Sequence, residues 1–135
     1  MSISSLFFKG AVLWFVAGTS VGMQMGLSGN HGFIDAHAHL NLLGWVSSAL
    51  FGCFYALHPA VAAKLWAWVH FIIYNAGLVL MLPSLYLLQA GYDWAGPLLQ
   101  IGSSVTWVGA ILFAISVLMA PVSGQPPLRN LGLMQ

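Results

Sequence analysis

The sequence predicts an all-α membrane protein, an up-down bundle of four transmembrane helices, from its composition and from the spacing of its apolar stretches. Hydrophobic residues make up 60% of the 135 residues and charged residues 4%, whereas soluble domains carry about a quarter charged residues. Lys and Arg number three against two Asp and Glu, which leaves a net charge of +1 and no basic patch. These values exclude a soluble globular domain, a disordered chain and a nucleic-acid-binding protein.

Four stretches are long enough for a membrane-spanning helix, which needs about 20 mostly apolar residues. They lie near residues 6–27, 36–57, 65–89 and 97–119. Turn-forming residues separate them, namely Ser28-Gly29-Asn30, His58-Pro59 and the segment from Gly91 to Pro97. We therefore expect residues 1–120 to form one transmembrane domain and residues 121–135 to form a cytoplasmic tail.

The few charged residues predict the orientation. In an up-down arrangement Lys9, Lys64 and Arg129 fall on one side, and Asp35 and Asp93 on the other. Basic residues favour the cytoplasmic side, so both termini are predicted to be cytoplasmic. The expected location is a bacterial inner membrane, with the first and third connections facing outward.

The histidines are the main functional candidates, because ionisable residues inside a membrane are costly and usually functional. The informative segment is Asp35-Ala36-His37-Ala38-His39 at the start of the second stretch. Asp35 is predicted to be the N-cap of the second helix, which places both histidines in its first turn near the outer face. Three others are weaker candidates: His31 in the outer loop, His58 at the end of the second stretch, and His70 in a polar strip with Tyr74 and Asn75 that is typical of interhelical hydrogen bonding.

Residues two apart on an α-helix differ by about 200° around its axis, so His37 and His39 point to opposite sides. They cannot chelate one ion from a single helix. Asn41, Gly44 and Ser48 lie below His37, and Leu43, Val46 and Leu50 lie below His39. A flat apolar macrocycle would fit against either face.

Two interpretations of this pair remain open on residue chemistry alone. Both histidines are hydrogen-bonded to loop backbone near the headgroups, or they ligate a metal or haem, of which haem suits the apolar, aromatic surroundings better. Gly18, Gly22 and Gly26 form a row typical of close helix packing that also admits a flat ligand. Met23 lies at the depth of an alternative sulfur ligand, although a core or lipid-facing role is more typical.

The segment from His37 to Pro59 resembles the tenth membrane helix of subunit I of the heme-copper oxidases. It reads H-A-H-L-N-L-L-G-W-V-S-S-A-L-F-G-C-F-Y-A-L-H-P, against H-x-H, L-G-W and G-x-x-Y-x-L-x-P in one branch of that family. The rest of the chain is similar to the neighbouring ninth, eleventh and twelfth helices. In that family the two histidines of H-x-H ligate haems on opposite sides of the helix.

The resemblance implies one four-helix arc of a pseudo-threefold ring, which three copies would recreate as a homotrimer. Haem b would lie at each interface between His37 of one chain and His39 of the next. The predicted cofactor contacts are His37, His39, Asn41, Leu43, Gly44, Gly22 and Met23, with His37 and His39 on the iron. No copper is expected, because the chain lacks the H-P-E-V-Y-type motif with its copper ligand and catalytic tyrosine.

The leading functional prediction is a membrane cytochrome b that transfers electrons to or from a quinone or a periplasmic donor. A haem carrier or a sensor of diatomic gases is the first alternative. A cofactor-free accessory subunit of a larger oxidase is the second. A complete oxygen reductase is not expected, since the copper ligands are missing.

Overall fold

The computed structural model describes residues 2–120, which contain helices and no strand. The four long helices are α1 (Ile3–Ser28), α2 (Ile34–Leu57), α3 (Leu65–Gln89) and α4 (Ala95–Leu118), and the single turn Pro59–Ala62 precedes α3. Each long helix is apolar enough to cross a membrane, with mean hydropathy between 1.5 and 2.0. The predicted all-helical class with four long apolar helices that could span a membrane is thereby confirmed, while the predicted tail at 121–135 lies outside the described residues.

Local interactions at both ends fix the length of α1. The Ser2 side chain accepts a hydrogen bond from the Ser5 backbone N–H at 3.2 Å and caps the first turn. At the other end Gly29 takes the left-handed conformation, with φ of 67°, and its N–H donates to the Met25 carbonyl. A residue with a Cβ is strained there, so a glycine ends the helix.

The middle of α2 is a π-helix. Residues Ile34–His39 and Ser48–Leu57 are α-helical, whereas Leu40–Ser47 follow the wider π pattern. The Ser47 hydroxyl matches this pattern, because it donates to the Leu42 carbonyl five residues earlier at 2.8 Å. Short π segments inside α-helices are frequent at functional sites.

Small residues let the helices pack closely in two pairs, α1 with α2 and α3 with α4. Along the first pair, a Cβ at Gly44 would lie 2.7 Å from the Trp14 side chain. Along the second pair, a Cβ at Gly77 would lie 2.5 Å from the backbone nitrogen of Thr106. Backbones that approach this closely gain the van der Waals contacts that hold membrane helices together.

Candidate functional site

His37 lies in the seam between α1 and α2. Its Nδ1 atom is 2.8 Å from the Gly18 carbonyl oxygen of α1. Because a carbonyl only accepts, Nδ1 carries a proton, and in the neutral ring Nε2 then keeps its lone pair. The ring also covers Gly22, where an added Cβ would lie 2.7 Å from its Cε1 atom.

Asn41, one turn further along α2, contacts His37 and helps to hold its ring against α1. Its Nδ2 atom donates to the His37 carbonyl at 2.8 Å and lies 3.4 Å from the His37 ring. The amide sits on Gly18, where a Cβ would come within 2.6 Å of it. Close packing at Gly18 and Gly22 is therefore confirmed, while Gly26 meets nothing within 4 Å.

His39 is exposed and is oriented by its own helix. Its Nδ1 atom lies 2.8 Å from the Asp35 carbonyl oxygen, four residues earlier. The same argument assigns the proton to Nδ1 and leaves the lone pair on Nε2. Among residues 2–120, no hydrogen bond engages Nε2 of His37 or His39.

His39 lines a groove of about 350 Å³ between α2, α3 and α4. The lining is mostly apolar and consists of His39, Leu43, Ser47, Phe51, Tyr74, Met81, Ser103, Thr106, Trp107 and Ala110. Leu43 was expected below His39, but Val46 and Leu50 were placed there wrongly, since they are 39% and 60% exposed and do not line the groove. The π-helix has more residues per turn, so the face continues at Ser47 and Phe51 instead.

The two histidines face different neighbours, as the helical spacing predicted. His37 contacts α1, whereas His39 opens towards α3 and α4. Within the described part of the chain, no three His, Cys, Asp or Glu side chains gather where they would hold a metal ion. Each histidine therefore offers a single ligand atom, Nε2, on its own side of α2.

The remaining predicted contact residues lie at different places around the pair. Gly44 is buried against Trp14 of the same chain. Met23 follows Gly22 on α1 and is 63% exposed. Leu43 lines the groove below His39, so the predicted contacts divide between the seam and the groove.

Asp35 is not the N-cap of α2, and that prediction is wrong. The cap position is Phe33, which offers no side-chain hydrogen bond to the helix. Gln89 at the end of α3 bonds to the first turn instead, through Ala36 and Asp35. Sequence inspection missed Gln89, because its partners lie more than fifty residues away.

His70 lies elsewhere and is completely enclosed. Its exposure is 0% and its Nδ1 atom is 2.9 Å from the Tyr55 hydroxyl oxygen. Its Nε2 atom has no hydrogen-bond partner among residues 2–120. The rings that surround it belong to Phe7, Phe51, Tyr55, Tyr74 and Phe113. Of the polar strip on α3, His70 and Tyr74 bond to α2 as expected, whereas Asn75 bonds to Phe71 of its own helix.

Fold and site together define a protein of four helices with membrane-spanning length that presents two imidazoles on opposite sides of one helix. No protein-family model, curated protein or solved structure matches the chain.

Proposed function

We propose that the protein is a membrane b-type haem protein that transfers electrons, with haem held between identical chains by His37 of one chain and His39 of the next. The observation that supports this proposal is that both imidazoles are held in the same way, each through its Nδ1 atom. Each donates Nδ1–H to a backbone carbonyl and keeps a lone pair on Nε2. Metal-ligating histidines almost always donate their other ring N–H in this way, which fixes the tautomer and the direction of the ligand.

A haem suits this site better than a bare ion. Zinc sites use about three or four protein ligands, and the described residues gather no such group. A haem would bring most of its iron ligands with it, so the protein would need to add only one or two side chains, and His37 and His39 would be these. The groove beside His39 is mostly apolar and, at about 350 Å³, lies within the usual range of cofactor sites.

A second chain is needed because the histidines face apart. One chain gives a single ligand on the α1 side and a single ligand on the groove side. Homo-oligomers usually close by rotation, and the resemblance to one arc of a heme-copper oxidase ring suggests three copies. A haem held by His37 and His39 would supply reversible one-electron chemistry. The chain's contribution is to fix both imidazoles and to enclose the macrocycle in apolar walls.

The test uses the full chain purified in detergent. We expect a reduced-minus-oxidised spectrum of b type and a haem-to-protein ratio near one. His37→Ala and His39→Ala should each abolish haem binding and with it the spectrum, because every interface loses one ligand. His31→Ala is the matched control at the same end of the bundle and should keep the wild-type ratio.

Two outcomes would overturn electron transfer in favour of the alternatives. A five-coordinate spectrum that responds to carbon monoxide would indicate a haem carrier or a gas sensor. A colourless wild-type protein, with helix content intact by circular dichroism, would favour a cofactor-free accessory subunit.

A further inference from the structure

The α-helical start of α2, Ile34–His39, carries both histidines but has no side-chain cap of its own. The first backbone N–H groups of any helix have no partner within it, and the side chain of the cap residue Phe33 makes no hydrogen bond to them. Gln89 of α3 takes this role from across the bundle, because its Oε1 atom accepts the Ala36 N–H at 3.0 Å. Ala36 is 0% exposed, so without Gln89 this N–H would lose its partner inside the protein.

The amide nitrogen of the same Gln89 side chain bonds to Asp35. The Gln89 Nε2 atom donates to Oδ2 of Asp35 at 3.1 Å. The backbone carbonyl of Asp35 in turn accepts Nδ1–H of His39 at 2.8 Å. Gln89 therefore bonds to Asp35, whose backbone carbonyl orients His39, and to Ala36, the next residue along the helix.

We propose that Gln89 is a positioning residue for His39, acting through Asp35 and Ala36 to set the direction of the free Nε2 atom. This inference rests on the proposed haem function. Partners behind a metal ligand typically change metal affinity by about 10–100-fold when they are removed. Gln89→Ala should weaken haem binding by that factor and leave the helices folded.

Tyr86→Phe is the matched control. Tyr86 is also on α3 at the same end, and its hydroxyl donates to Oε1 of Gln24 on α1 at 3.0 Å. The substitution removes one hydrogen bond between helices without touching Asp35 or Ala36. Haem affinity should stay within about threefold of wild type, since a single hydrogen bond between membrane helices contributes little.

Gln89→Glu separates positioning from general stability. The new carboxylate still accepts the Ala36 N–H, but it faces the Asp35 carboxylate where an amide donor stood. Two like charges repel each other, so the contact with Asp35 is lost while the bond to Ala36 remains. Haem affinity of Gln89→Glu should therefore fall below that of the wild type.

A charge exchange tests the contact directly. Combining Gln89→Glu with Asp35→Asn reverses donor and acceptor, while the backbone carbonyl at position 35 still reaches His39. The double variant should regain wild-type haem affinity. Amide hydrogen exchange at Ala36 should be faster in Gln89→Ala and slow in the double variant, whether or not haem is bound.

The outcomes distinguish this inference from the proposed function. If the wild type binds haem and Gln89→Ala binds it equally well, Gln89 does not position His39. A loss of haem affinity in Gln89→Glu that the double variant does not recover would also overturn the inference. A colourless wild type would overturn both proposals.

Discussion

The surroundings of the histidine side chains differ between the two ends of the bundle. At the His37 end, defined by His37, His39 and Gln89, each imidazole donates to a backbone carbonyl and keeps Nε2 free. At the His70 end, defined by His70 and Tyr55, the imidazole bonds to a phenol and its Nε2 atom is closed in by aromatic rings. Access, rather than the presence of a histidine, decides which end can hold a ligand.

The enclosed end is built for packing. Phe7 is stacked on Tyr55, with ring centroids 5.8 Å apart, and meets Phe51 edge to face. The hydrogen bond between Tyr55 and His70 joins α2 to α3 inside this cluster. Aromatic contacts of this kind add to the stability gained by burial, so the His70 end is expected to support the fold and leave haem binding to the other end.

A change beneath His37 should produce the larger effect. Gly22→Ala places a methyl group 2.7 Å from the ring, which must shift and lose its alignment with the Gly18 carbonyl. Haem affinity should fall by about 10–100-fold, as measured by haem titration of the purified protein. Gly26→Ala is the matched control, because a Cβ there meets nothing within 4 Å. Equal affinity in the two variants would contradict the placement of His37 on the iron.

A change at the His70 end should produce the smaller effect, and one of a different kind. Tyr55→Phe removes the partner of the buried His70 nitrogen, so the free energy of unfolding should fall by about 1 kcal/mol. The haem-to-protein ratio should be unchanged. Denaturant unfolding followed by circular dichroism measures the first quantity, and Tyr92→Phe, at an exposed phenol, is the control. Loss of haem from a folded Tyr55→Phe protein would join the two ends into one site.

Sequence inspection predicted the features that depend on hydrophobicity and on regular helix geometry. The four helices followed from the apolar stretches, and the opposite directions of His37 and His39 followed from the α-helical repeat. Both histidines lie in the α-helical part, Ile34–His39, where that repeat holds.

Features that depend on tertiary contacts could not be predicted in this way. The π-helix over Leu40–Ser47 changes which residues lie below His39. No local sequence pattern predicted this π-helix. Local preference favoured Asp35 as a cap, but the amide of Gln89 bonds to the first turn of α2 instead. One signal for the burial of His70 was available, since Ala67, His70, Tyr74, Gly77 and Met81 recur every three or four residues on the buried face of α3.

The most direct test of the shared site is complementation between two inactive variants. His37→Ala and His39→Ala chains, carrying different affinity tags, are expressed together, and mixed oligomers are isolated through both tags. In a mixed trimer one interface pairs an intact His37 with an intact His39, so about one third of the wild-type haem should return. If the mixed oligomers stay as colourless as either variant alone, the two histidines do not share a haem across chains.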